Sequence, residues 1–189
     1  MVNEIDSILE ILIENRKERF SIRSLSKLRK INYKSAYNAI MKLEKEGIVD
    51  LERLGNTTNC FFNLNFSPRV FGVEYERRNN LFKNKNFEIV YSRLNKISKQ
   101  FIALLFGSYA KKTSDKNSDI DLLIIGENLK EIDGIISLIP LKIHLTLISN
   151  KEFLDMAKSK EFSVVNEAIE NNIILLGIEA YYRLLENAR

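Results

Sequence analysis

The sequence predicts an α+β chain in two parts: a helical segment closed by a β-hairpin, then a small α/β segment. Three observations carry this. Apolar residues recur at helical spacing through the first third of the chain. A two-residue Gly55-Asn56 signal then separates two strand-like runs, IVDLERL and TTNCFFNLN. Farther on, FIALLF (101–106) and DIDLLII (119–125) are short apolar runs of the kind buried on both faces of a sheet.

Composition narrows the function before any motif is read. Of 189 residues 45% are hydrophobic and 29% charged, with two prolines, seven glycines and no low-complexity tract, so a folded chain is expected. No apolar run approaches the ~20 residues of a membrane-spanning helix. MVNEIDSILE carries acids where a secretory leader carries Lys or Arg, so the expectation is a cytoplasmic protein with no membrane partner. Cys60 is the only cysteine and His144 the only histidine, which excludes an internal disulfide, a cysteine-based zinc cluster and a histidine-rich site; any metal is expected to sit on oxygen. The net charge of +4 suits a polyanionic partner only if the charges cluster.

Ile5, Ile8, Leu9, Leu12 and Ile13 share one face of EIDSILEILIEN, the first amphipathic helix. The second starts at the capping residue Ser21, with Ile22, Leu25 and Leu28 as its stripe. After a break at Lys30-Ile31-Asn32, YKSAYNAIMKLEKEG aligns Ala36, Ile40 and Leu43 and stops at Gly47. The hairpin follows, with a turn that requires positive φ. Helix, helix, helix and hairpin over residues 3–66 resemble a winged helix-turn-helix domain, which implies that the third helix enters the major groove of DNA. Opposite its apolar stripe stand Tyr33, Lys34, Ser35, Asn38 and Lys42, a set that bonds phosphates and base edges, with Arg53 and Asn56 on the wing. Arg16, Lys17, Arg19, Arg23, Lys27, Arg29, Lys30 and Lys34, interrupted only by Glu18, cluster positive charge as DNA requires. The other reading is a dimerisation or protein-docking module with a solvated basic face, which makes the chain a homodimer or a partner-binding protein.

Residues 67–86 form a linker helix between domains 1–66 and 87–189. Pro68 opens it and NKN at 84–86 breaks it. Arg77, Arg78, Lys83 and Lys85 either extend a nucleic-acid surface or form a solvated face. Phe87, Val90, Tyr91, Leu94 and Ile97 then give a helix over 87–99 its buried stripe.

After the strand FIALLF, Gly107 and Ser108 open a short helix, SYAKK, whose N-terminal amides suit phosphate, with Lys111 or Lys112 adding charge. A plain turn with an N-cap serine explains the same residues. The loop TSDKNS leads into DIDLLII, and in an extended chain Asp119 and Asp121 share a face. Their repulsion is relieved by a hard divalent cation. A solvated strand end accounts equally for a bare Asp-X-Asp.

Taken together, Gly107-Ser108, ten residues, and Asp119-X-Asp121 between two buried strands resemble the signature of the DNA polymerase β nucleotidyltransferase superfamily, in its minimal branch, over about residues 87–180. The resemblance implies a small α/β domain with a mixed sheet. It implies that Gly107, Ser108 and Lys111 bind a nucleoside triphosphate and that Asp119 and Asp121, the catalytic pair, hold Mg²⁺ (or Mn²⁺). It further implies transfer of a nucleotidyl group to a protein or nucleic-acid hydroxyl, and a toxin–antitoxin setting with a separately encoded HEPN-type toxin protein as partner.

Two positions depart from that pattern. Lys112 stands where many members have Gly. The strand LKIHLTLIS (141–149) aligns Lys142, His144 and Thr146 where active members place a third carboxylate. His144 is either a substitute general base or a partly buried structural histidine. The chain is accordingly a nucleotidyltransferase joined to a DNA reader, or a catalytically weak, nucleotide-binding transcription regulator.

Overall fold

The computed structural model describes residues 3–159 and 163–188. It divides into two compact units, Met1–Val73 and Glu74–Arg189.

The first unit runs α1 (Glu4–Glu14), β1 (Phe20–Ser21), α2 (Ile22–Arg29), α3 (Tyr33–Lys45), β2 (Val49–Leu54) and β3 (Thr57–Phe62), then enters α4 (Pro68–Leu81), inside which the division falls. Asn3, Ser21 and Asn32 each accept a backbone N–H and so cap the first three helices. Ile8, Leu9, Leu12, Leu25, Ala36, Ile40 and Leu43 are fully buried between the helices. Leu28 is not: it is 57% exposed, and Ser26 is buried instead. The physical reason is phase, because α2 ends at Arg29 with Lys30 in the left-handed region (φ 53), and its inward stripe runs 22, 25, 26. Gly47 (φ +70) ends α3 and Gly55 (φ +58) supplies the positive φ of the hairpin turn. The two-residue β1 pairs with β3, giving an antiparallel sheet of order β1-β3-β2. No periodicity announces a strand that short.

The second unit continues through α5 (Lys85–Leu94), β4 (Phe101–Phe106), α6 (Gly107–Ala110), β5 (Ile120–Gly126), α7 (Lys130–Ser137), β6 (Ile143–Ile148), α8 (Asn150–Lys158), α9 (Val164–Glu170), β7 (Ile173–Leu176) and α10 (Ile178–Glu186). Its sheet has the order β6-β5-β4-β7 and is mixed: β5 and β6 are parallel, the other pairs antiparallel. One set of alternate strand residues, including Ala103, Leu105, Leu122 and Ile124, packs on Phe87, Val90 and Leu94 of α5 and Ile132 and Ile136 of α7. The opposite set, Leu104, Leu123, Ile125 and Ile174, is buried as well, and β4 and β5 also contact α8, α9 and α10. This two-sided burial is why β4 and β5 read as continuous apolar runs. The helix predicted over 87–99 ends at Leu94, and Ile97 is buried beyond its end.

The arginines of the linker helix are neither solvated nor a nucleic-acid surface. Glu74 is fully buried, pairs with Arg77 and accepts a hydrogen bond from the Tyr182 hydroxyl (2.6 Å). Arg77 also donates to the Asn172 carbonyl (2.8 Å). Arg78 donates to the Leu175 carbonyl (3.1 Å) and lies over the rings of Tyr75 and Tyr91. A charge buried without partners is costly, so this part of α4 belongs to the packing of the second unit. Lys83 and Lys85 remain exposed.

Candidate active site and candidate nucleic-acid interface

Strand register builds the first site. β4 and β5 pair in antiparallel fashion up to Phe106 opposite Asp121, so Gly107 leaves its strand beside the Asp121 side chain. Gly107 has φ +68, and a Cβ built on it would overlap Asp121 Oδ2 and come to 3.0 Å from Cγ. The carboxylate therefore occupies the space that glycine leaves open, and two independent demands select glycine here.

Half-buried Ser108 lies in α6, a single turn too short to sum a macrodipole, so any hold on phosphate there rests on the hydroxyl and backbone amides. Its carbonyl accepts from Thr113 N–H (2.9 Å), which fastens the start of the loop. Lys112 has φ 59 and so occupies a conformation that glycine adopts without strain. Lys111 is exposed and its Nζ is 2.7 Å from Glu167 on α9.

The polar loop is ordered by Asp115. Its carboxylate accepts from Asn117 N–H (2.8 Å) and the Ser118 hydroxyl (3.2 Å), and these bonds hold its carboxyl below the usual carboxylate range. Asp119 follows, exposed, immediately before β5.

Beside Asp121 on the parallel neighbour β6 stands His144, the two residues paired in register. Its Nδ1 lies 3.3 Å from Asp121 Oδ1, and its side chain is 69% exposed against 26% for Asp121. The reading of His144 as a partly buried structural residue is thus corrected: β6 is an edge strand and His144 faces outward next to the aspartate. Among the described residues no three His, Cys, Asp or Glu side chains already converge as a metal cluster.

Residues 88–180 match the family model Polymerase beta, Nucleotidyltransferase. The match supports the nucleotidyltransferase superfamily for this segment, which contains Gly107, Ser108, Lys111, Asp119, Asp121, His144 and Glu167. It begins at residue 88 and leaves the first unit uncovered. Neither curated proteins nor solved structures gave a match. No helix among the described residues is long and apolar enough to cross a membrane.

In the first unit, Tyr33, Lys34, Asn38 and Lys42 are exposed on α3, and Ser35 is half-buried with its N–H bonded to Asn32 Oδ1 (2.8 Å). Arg53 and Asn56 are exposed on the hairpin. Tyr37, one turn after Tyr33, is 43% exposed and stacks on it with ring centroids 6.4 Å apart. The i, i+4 spacing was the available signal for that pair. The basic cluster is thinner than its sequence suggests. Arg16 is buried, Arg29 pairs with Glu10 (2.7 Å), and Arg19 pairs with Glu52 (2.7 Å) while lying over Phe61. Arg23, Lys27, Lys30, Lys34 and Lys42 stay exposed. An open groove lined by Glu44, Asp50 and Glu52 together with Val49, Leu51 and Phe61 is acidic and suits no polyanion.

Proposed function

We propose that the second unit transfers a nucleotidyl group from a nucleoside triphosphate to a hydroxyl of a protein or nucleic acid, and that the first unit is a winged helix-turn-helix that brings it to DNA. The observation that carries the first half is the seating of the Asp121 carboxylate over Gly107. It joins the turn proposed for phosphate to the residue proposed for metal, inside the segment that matches the nucleotidyltransferase family.

The donor set fits a divalent cation. Asp121 is fixed by the glycine cradle, and Asp119 offers a second carboxylate one alternate position earlier. A bound divalent cation supplies neutralisation of charge on the α-phosphate and the departing pyrophosphate. The Ser108 hydroxyl and the amides of the turn hold phosphate oxygens, and Lys111 exchanges Glu167 for the triphosphate. Asp119 and Asp121 would hold that cation, and their own charge keeps them from contacting the phosphate directly.

A second reading is favoured by one observation: the position beside Asp121 on β6 is His144, where the resemblance expects a carboxylate. On that reading the chain binds nucleotide, turns it over slowly and acts as a regulator. ATP binding and label transfer, measured together on the wild type and on Asp119→Asn/Asp121→Asn, separate the two. Transfer that disappears in the variant supports the enzyme; binding without transfer supports the regulator.

The DNA half rests on Tyr33, Lys34, Asn38 and Lys42 being exposed together on α3, with Arg23, Lys27 and Lys30 nearby in sequence. The toxin–antitoxin setting with a HEPN-type partner rests on the resemblance alone; co-purification with the product of a neighbouring gene tests it.

A further inference from the structure

We infer that the cation site is built for an ion that accepts nitrogen, with His144 Nδ1 as a direct ligand beside Asp121, and that it selects first-row transition ions such as Mn²⁺ or Co²⁺ over Mg²⁺. The inference rests on the reading of Asp119 and Asp121 as the metal pair, and it amends the expectation from composition that any metal sits on oxygen alone.

Register is the first argument. β5 and β6 run parallel with Asp121 opposite His144, Leu123 opposite Thr146 and Ile125 opposite Ile148, so the imidazole and the carboxylate stand side by side on one face. Distance is the second. An N–H···O hydrogen bond spans about 2.7–3.2 Å, and Nδ1 and Oδ1, 3.3 Å apart, stand at the long end of one. Two ligand atoms each about 2.1 Å from one ion lie roughly 3.0 Å apart at an octahedral angle and roughly 3.4 Å apart at a tetrahedral one. The observed separation falls in that interval. Access is the third: His144 stands on the edge strand β6 and its side chain is 69% exposed, Asp121 beside it on the interior strand β5 keeps 26% of its side chain exposed, and exposed Asp119 lies two residues earlier.

The chemistry of the donors then decides the ion. Mg²⁺ prefers oxygen ligands and keeps its water, while imidazole raises affinity for transition ions much more than for Mg²⁺. A histidine beside Asp121 favours a different ion from the one that a carboxylate there would favour.

The alternative role is orientation, in which His144 donates an N–H to Asp121 and never touches the ion. The test uses the metals alone. Free Mn²⁺ is counted by electron paramagnetic resonance with Mg²⁺ as competitor, and Co²⁺ is followed by its visible absorption. The proteins are the wild type, His144→Asp, His144→Gln and Asp121→Asn. Direct ligation predicts that preference for Mn²⁺ over Mg²⁺ falls about tenfold in both His144 variants and that Co²⁺ loses its nitrogen-ligand absorption. An unchanged preference in His144→Gln, which still donates to Asp121, together with loss of Mn²⁺ in Asp121→Asn, overturns direct ligation and leaves the reading of the aspartates standing. Mn²⁺ binding unaffected by Asp121→Asn overturns both.

Discussion

The Asp121 carboxylate occupies the space where a Gly107 side chain would stand. Gly107→Ala must therefore either expel Asp121 or distort the end of β4. The left-handed backbone alone costs about 1–2 kcal/mol. Gly55→Ala, with similar φ (+58) and open space around it, isolates that backbone cost. Chemical denaturation is expected to show a larger loss for Gly107→Ala than for Gly55→Ala, and equilibrium dialysis with ATP is expected to show loss of nucleotide only in the former.

Glu167 pairs with Lys111, the lysine proposed to bind phosphate, across 2.7 Å. Both side chains are partly exposed, so the pair is worth only ~0.5–1 kcal/mol. Glu167→Gln is expected to tighten ATP binding by about twofold to fivefold, and Lys111→Ala to weaken it, as read by fluorescence titration. Equal affinities in all three proteins contradict a role for Lys111.

Glu46 gives the first unit an acid-sensitive tie. The Arg69 guanidinium hydrogen-bonds it (2.6 Å) and holds its carboxyl below the ordinary glutamate value of 4.5. A carboxyl whose value is lowered by folding adds stability that is complete above 4.5 and is lost as pH falls through the folded value. Glu46→Gln is expected to destabilise by ~1 kcal/mol at pH 7. The gap from the wild type should close in denaturation curves taken at progressively lower pH below 4.5.

For the α3 surface, Lys34→Ala and Asn38→Ala are expected to weaken binding to DNA upstream of the protein's own gene. Lys34→Ala should also reduce the salt slope by about one. Tyr37→Ala, which removes the stacking partner of Tyr33, is expected to weaken binding with the slope unchanged. Undiminished affinity of all three in low salt contradicts the assignment of α3.

What the sequence made legible was periodic or local. β4 is the apolar run FIALLF, residue for residue, and Ser21 caps α2 through a bond to Ser24 N–H. Gly107-Ser108 and Asp119-X-Asp121 were visible because they flank buried strands. Lys112 was visible as a departure, and its φ of 59 now explains why glycine suits that position. The rest depended on pairings between distant segments. Glu167 meets Lys111 from α9, His144 meets Asp121 through the register of parallel strands, and Arg77 and Arg78, in a charge run that read as solvated, reach the carbonyls of Asn172 and Leu175. Spacing along one chain carries no signal for such contacts, and Leu28 shows that even a helical stripe needs its phase fixed by packing.

The most direct test of nucleotidyl transfer at Asp121 compares ATP labelled at the α-phosphate with ATP labelled at the γ-phosphate, in the wild type and in Asp121→Asn. The expected result is an acceptor that keeps the α-label while the γ-label leaves with pyrophosphate, and no labelled acceptor in Asp121→Asn. An acceptor carrying the γ-label, or an α-label undiminished in Asp121→Asn, contradicts it.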